Sequence, residues 1–344
     1  MNNKIEIISG FKFAEIADIV FSGIFIKSQL GTLHLKDDIT ENIGDGEYIS
    51  VKKKVFELKE NQIIFCKTEY IKELFKILDS QCEFKNIKLI THQSDLKISK
   101  KMYKLKPDCI SKWYSINVDY EHTDLIPIPL GIGNFHSKNL NENMLLNSFY
   151  QNMFFTNKSG LLYINFNPNT NFGHRKKLYN YFEHESWVKS DKSNLNRTTY
   201  KDRLSKHNFT LTPWGNGIDT HRFWETLYIG SIPVAKKHLL YKSFKTFPKV
   251  LVNEYNVISS DFLNQELVNI QNQFDSFNFS ELDFKYWREL ICDEKENIKN
   301  NSTLNLINHN QNYYRNVANL KYRVKSSLKV FNRYRRTIHR IFGI

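Results

Sequence analysis

The chain reads as an α/β protein built from two Rossmann-like domains in tandem, followed by a basic helical appendage. Three observations lead to that class. Short apolar runs alternate with helical patterns in both halves of the chain, which implies parallel sheets. A Pro- and Gly-rich stretch, Leu125-Ile126-Pro127-Ile128-Pro129-Leu130 followed by Gly131 and Gly133, separates the two alternations. After Glu296 the chain holds ten Lys and Arg and no Asp or Glu.

The elements follow in order. A strand is predicted over 62–66 and a helix over 69–78. The next strand covers 87–91 and runs into His92-Gln93-Ser94-Asp95. Residues 141–157 read as a helix and linker. The second alternation predicts a strand at 161–166, a helix at 174–182 and a strand at 208–212. A helix at 221–229, strands at 231–235 and 249–252, and a helix at 261–274 complete it. This organisation predicts domains at 1–150 and 151–310. In the tail at 311–344, Val317, Leu320, Val324, Leu328, Phe331, Tyr334, Ile338 and Ile341 recur at helical spacing opposite a basic face.

Composition excludes several classes. Of 344 residues, 41% are hydrophobic and 25% charged, as in a water-soluble globular protein. The net charge is +13, and the stretch after Glu296 accounts for ten of those charges, so the body is near neutral. The basic character belongs to the appendage and does not describe a nucleic-acid-binding fold. Cys66, Cys82, Cys109 and Cys292 are too widely spaced for a metal knuckle or a disulfide framework. The first 25 residues lack a long apolar run, so neither a signal peptide nor a membrane span is expected there, and the cytoplasm is the expected compartment.

Residues 209–235, FTLTPWGNGIDTHRFWETLYIGSIPVA, carry the most chemistry. They read as a strand ended by Pro213, a Gly215-Asn216-Gly217 turn needing positive φ, and a helix with Asp219 as N-cap. Gly230 closes the helix, and a strand opens on Ile232-Pro233. A helix N-terminus behind a glycine turn presents N–H groups to a phosphate or diphosphate. Arg222 in the first turn can grip a phosphate oxygen, and Glu225 at i+3 can accept from a ribose diol. The plainer alternative is a surface Arg–Glu pair on an ordinary βαβ unit. Trp224 and Tyr228, at i and i+4, read as core.

The pattern Pro213-x-Gly215-Asn216-Gly217-x-Asp219-Thr220-His221-Arg222-x-Trp224-Glu225-x-Leu227-x-x-Gly230-x-Ile232-Pro233-Val234 resembles the donor-binding region of exostosin-like (family 47-type) glycosyltransferases and their bacterial and viral relatives. Residues 161–175 and 112–132 resemble the same group more loosely, and the three segments cover under half of the chain. The resemblance implies a GT-B-like architecture, with two Rossmann-like domains facing across a cleft. It also implies inverting transfer of a sugar from a nucleotide-sugar donor to a glycan or lipid-linked acceptor, as in surface polysaccharide synthesis. On this reading 1–150 is the acceptor domain and 151–310 the donor domain.

The donor-side candidates are Asn165, Arg175, Gly215, Asn216, Gly217, Asp219, Arg222 and Glu225. The proton acceptor for transfer is expected on the first domain, with His92 or Asp95 preferred over the cluster Asp119, Glu121 and His122. No Asp-x-Asp triplet occurs, so neither a metal nor another cofactor is expected, and amides and cations would stabilise the leaving group. His221 and His238 read as packing or hydrogen-bonding groups. The tail has three readings: a helix docked on an anionic membrane face, one packed on the first domain, or one that binds an acidic glycan. Opposed to transfer stands a non-catalytic glycan- or nucleic-acid-binding protein that uses the basic tail.

Overall fold

The structure is a computed structural model. It describes residues 5–35, 39–43, 47–53, 55–79, 84–133, 145, 151–155, 158–292 and 301–305. The tail helix expected at 311–344 and most of the helix expected at 141–157 lie outside these residues.

Two sheets form the frame, and both belong to one compact unit. The first takes β1 (Ile19–Ile26), β2 (Ile39–Ile43), β3 (Tyr48–Lys52), β5 (Ile63–Lys67), β6 (Ile87–His92), β8 (Ile110–Ser115) and β10 (Leu125–Pro127). Their order is β10-β8-β6-β5-β1-β3-β2. The pairs from β10 to β1 are parallel, while β3 and β2 extend the sheet antiparallel. The expectation of parallel strands therefore holds for five strands, and the hairpin-like extension is an addition. Strand β4 (Val55–Lys59) lies outside this sheet, and β7 (Ile98–Ser99) pairs with β9 (Val118–Asp119) beside it. Every residue of Ile87–His92 is buried, as a central parallel strand covered on both faces requires.

The second sheet joins β11 (Gly160–Ile164), β12 (Val188–Ser190), β13 (His207–Leu211), β14 (Ile232–Lys236) and β15 (Val250–Val252). All pairs are parallel, in the order β12-β11-β13-β14-β15. This is the doubly wound 2-1-3-4-5 order, and the direction of winding reverses between β11 and β13.

The helices used below are α1 (Gly10–Glu15), α2 (Ile71–Asp79), α3 (Lys100–Tyr103), α4 (Phe172–Phe182), α5 (Arg197–Ser205), α6 (His221–Tyr228), α7 (Leu239–Ser243), α8 (Ser260–Asn272) and α9 (Phe284–Cys292). Helix α6 buries Phe223, Trp224, Leu227 and Tyr228 completely, as the spacing predicts. It ends as expected, with Gly230 at φ +78° and its N–H on the Leu227 carbonyl at 3.0 Å. Its start differs. Thr220 holds the N-cap position, and Asp219 accepts instead from the Thr220 N–H at 2.8 Å and the Trp224 indole at 3.0 Å. The Gly215-Asn216-Gly217 turn uses no positive φ, and of its two glycines only Gly217 sits where a Cβ would meet a close neighbour.

Helix α9 returns to the first sheet. Lys88 of β6 donates to the Ile291 carbonyl at 2.8 Å, Phe13 of α1 meets Phe284 edge-on at 5.1 Å, and Arg288 forks onto Glu6 at 3.1 and 2.5 Å. Tyr228 accepts from the Ile8 N–H and donates to the Leu282 carbonyl, tying the N-terminal segment to α6.

Gly230→Ala is expected to cost roughly 1–3 kcal/mol in urea unfolding, because a non-glycine residue is strained at this φ. A Cβ there would also stand 2.3 Å from Met153.

Candidate functional site

A cleft of about 440 Å³ opens at the carboxyl ends of the parallel strands of both sheets. From the first sheet it takes Ile24 and Phe25 of β1, Glu69 after β5, and His92 to Asp95 at the end of β6. Leu130, Ile132 and Gly133 follow β10, and Gly10 opens α1. From the second sheet come Thr170 after β11, then Gly215, Asn216, Gly217, Asp219, Thr220 and His221 after β13. The second-sheet wall therefore falls at the reversal of winding between β11 and β13, where doubly wound sheets hold ligands.

Asn117 knits the two walls together. It follows β8 in the left-handed region, φ 53°, and is fully buried. Its Oδ1 accepts from the Ile218 and Asp219 N–H groups at 2.8 and 2.9 Å, and its Nδ2 donates to the Ser94 carbonyl at 2.9 Å. A Cβ on Gly217 would stand 2.9 Å from that Nδ2, so glycine is needed where the turn passes over the amide. Three further bonds cross the same seam. Leu130 N–H donates to Asp219 Oδ2 at 2.9 Å, His221 Nδ1 donates to the Gly131 carbonyl at 2.7 Å, and His238 Nε2 donates to Asp119 at 2.9 Å. Asn117 escaped sequence reasoning because a lone Asn between two strands carries no local signal.

The expected residues divide into two groups. His92, Asp95, Gly215, Asn216, Gly217 and Asp219 line the cleft. Asn165, Arg175, Arg222 and Glu225 are not among its described lining residues. Arg175 is 6% exposed and spends its fork on the carbonyls of Trp214 and Pro213, at 2.8 Å each. It shapes the turn from inside instead of reaching the cleft, and burial pulls its pKa down to about 10. Arg222 donates to the Asn165 carbonyl at 2.8 Å, and Asn165 donates onward to the Lys192 carbonyl at 2.7 Å. Glu225 is 4% exposed and accepts from the Tyr200 hydroxyl at 3.0 Å. The exposed Arg–Glu surface pair that the sequence allowed is thus ruled out by burial of the glutamate. Arg222 Nε and Glu225 Oε1 remain buried without hydrogen-bond partners.

His92 lines the cleft but has no free nitrogen. Its Nδ1 accepts from the Gln93 N–H at 2.8 Å, so Nε2 carries the proton and donates to the Pro129 carbonyl at 3.3 Å. Burial drives its pKa down to about 3. The histidine expected as a proton acceptor is instead a neutral strut between β6 and the Pro129 bend. Asp95 is exposed, and its carboxylate has no partner among the described residues. Glu69, which the sequence reading passed over as part of a helix, reaches the cleft with Lys67 at 2.5 Å. His221 also lines it. Since its Nδ1 donates to a carbonyl, the neutral ring keeps a lone pair on Nε2.

Asp219 is fully enclosed, and burial raises its pKa to about 7 against the four N–H contacts that favour the anion. No lysine or arginine occurs among the described lining residues. Nor do three His, Cys, Asp or Glu side chains converge as metal ligands among the described residues. No helix there is long and apolar enough to cross a membrane.

No protein-family model matches the chain, and neither does any curated protein. Among solved structures, a chain of the crystal structure of the GtfA/B complex aligns over 69% of this chain and 54% of its own. The TM-score is 0.32 and the identity 8%, a superposition too loose to decide the fold. The chain spans about half the length of the chain it matches there.

Two outcomes follow from this geometry. Asn117→Ala leaves two buried N–H groups unpaired and is expected to cost about 1–3 kcal/mol in urea unfolding. His92 takes up a proton more readily unfolded than folded, so its contribution is present above about pH 6.5 and is lost as pH falls toward about 3. The stability of His92→Gln is expected to fall less steeply across that window than that of the native chain, by up to about 1.4 kcal/mol per pH unit.

Proposed function

We propose that the protein is a glycosyltransferase of GT-B-like architecture, moving a sugar from a nucleotide-sugar donor to a glycan or lipid-linked acceptor. The observation that carries this reading is the placement of the cleft. Its second-sheet wall sits at the winding reversal and consists of the Gly215-Asn216-Gly217 turn and the start of α6. Its opposite wall is the carboxyl edge of the first sheet. On this reading 1–150 serves the acceptor and 151–310 the donor.

The donor diphosphate is assigned to the amides of the Gly215-Asn216-Gly217 turn and the first turn of α6. Thr170, Asn216 and Thr220 supply further polar contacts, and no metal is needed in this scheme. The acceptor hydroxyl lies toward Asp95, whose unpartnered carboxylate takes its proton. The hydroxyl oxygen forms the bond to the sugar C1 from the face opposite the diphosphate, and the C1–O bond to the diphosphate breaks. The nucleoside diphosphate leaves with the electron pair, and the sugar carbon inverts. Asn165, Arg222 and Glu225 extend the donor half. Their unused capacity, at Arg222 Nε and Glu225 Oε1, supports a nucleoside contact there. The Tyr200 hydroxyl occupies Glu225 Oε2, so Oε1 is the oxygen left for a ribose hydroxyl once this buried site opens.

The absence of lysine and arginine from the described lining favours a second reading, a non-catalytic protein that holds a neutral, hydroxyl-rich glycan. Thermal-shift measurements with UDP, GDP, CMP, dTDP and ADP, with and without EDTA, separate the two. Transfer is supported by stabilisation with one nucleotide, unchanged by EDTA and abolished in Gly217→Val, where the side chain displaces Asn117. Asp95→Asn is then expected to keep that stabilisation and lose about 10²–10⁴-fold in kcat. No shift at millimolar nucleotide, with glycan binding retained, would leave the non-catalytic reading standing.

A further inference from the structure

Beside the cleft mouth, the segment after Asp95 exposes a series of leucine and lysine side chains to solvent. Exposed side chains recur there in pairs every four residues: Leu96 and Lys97, Lys100 and Lys101, Lys104 and Leu105. The leucines are 44% and 48% exposed, and no Asp or Glu occurs from Leu96 to Pro107. The face is held in place from beneath. Ser99 Oγ accepts from the Met102 N–H at 3.4 Å to start α3, and the turn continues through Lys104 N–H on the Lys100 carbonyl at 3.1 Å. Tyr103 is half-buried and stacks on buried Trp113, with ring centroids 6.2 Å apart.

The lysines are only partly neutralised. Lys97 has Asp119 at 3.5 Å, and Lys100 lies over the Tyr120 ring at 5.8 Å. Neither Lys101 nor Lys104 has an acidic partner among the described residues. A rigid turn with leucines at its ends and cations between them has an evident complement. The apolar tips enter the acyl boundary of a bilayer, and the ammonium groups stay at the headgroup level against lipid phosphates.

We propose that this face, Leu96 to Leu105, docks the protein on an anionic lipid surface. The leucines choose lipid over a soluble polyanion, which would gain nothing from them. Docking here would set Asp95 and the first-sheet wall of the cleft beside the bilayer. The docking stands by itself, and only its consequence, access to a membrane-held acceptor, rests on the glycosyltransferase reading. The surface is separate from the basic tail.

Co-sedimentation of the full chain with phosphatidylcholine vesicles, with and without phosphatidylglycerol, tests the proposal. The native chain is expected to bind only the anionic vesicles, and less at high salt. The triple variant Lys100→Glu, Lys101→Glu, Lys104→Glu is expected to bind about 100-fold more weakly, with its unfolding midpoint kept. Leu96→Ser with Leu105→Ser is expected to weaken binding several-fold while leaving its salt dependence, since each exposed leucine adds buried apolar area. Unchanged binding by the triple variant would overturn the proposal and pass the role to the tail. Binding of single-stranded RNA that the triple variant loses, with vesicle binding unaffected by the leucine changes, would also overturn it. Nucleotide-induced thermal shifts in the same variants report on the donor site independently, so failure of docking and failure of the transferase reading are distinguishable.

Discussion

One side-chain amide holds the two halves of the site in register. Asn117 uses its oxygen on two successive N–H groups of the second-sheet wall and its nitrogen on the Ser94 carbonyl of the first. The residue is itself fixed. Its carbonyl accepts from the Ile98 N–H at 3.1 Å, where β7 pairs with β9, and its left-handed backbone suits asparagine better than most residues. An amide with all these groups buried must keep every bond, since each broken one leaves an unpaired polar atom away from water. The Gly217 backbone passes directly over it, and only the missing Cβ allows that approach.

Around this point the site is layered. An outer layer faces the cleft: Asp95, Glu69 and His221 from three different segments, over the Gly215-Asn216-Gly217 turn. An inner layer keeps that turn in shape. Arg175 holds the Pro213 and Trp214 carbonyls, Asp219 gathers N–H groups from Leu130, Thr220 and Trp224, and His92 braces β6 against Pro129. Burial alters the chemistry of this inner layer in one direction. It disfavours charge, lowering the pKa of His92 and Arg175 and raising that of Asp219. Groups so enclosed are suited to positioning, and the groups that meet the cleft from its outer layer are the carboxylates of Asp95 and Glu69 and the half-buried His221.

Much of this was legible in the sequence. The strands at 63–67, 87–92, 207–211 and 232–236, the helix at 221–228 and its closure at Gly230 follow from apolar runs, turn residues and caps, which are local properties. The gathering of His92, Asp95 and Gly215 to Asp219 at one cleft follows from a single rule, that parallel strands carry ligands at their carboxyl ends. Arg175, Arg222 and Glu225 went the other way. Periodicity places Arg222 and Glu225 on one face of α6 and Arg175 on α4, but it does not say whether those faces look into the cleft or into the protein.

What the sequence determined by itself was therefore the alternation of elements, the helix ends and the set of residues at strand ends, because these depend on neighbours along the chain. Only the tertiary structure decided that both nitrogens of His92 are engaged, that Arg175 serves the turn, that Asn117 joins the walls, and that Glu69 enters the cleft. Each of those depends on a partner far away in sequence: Pro129, Trp214, Ile218, and the opposite wall of the cleft. Hydrogen-bond capacity is limited, so the partner that claims a donor or acceptor on folding settles what that group can still do.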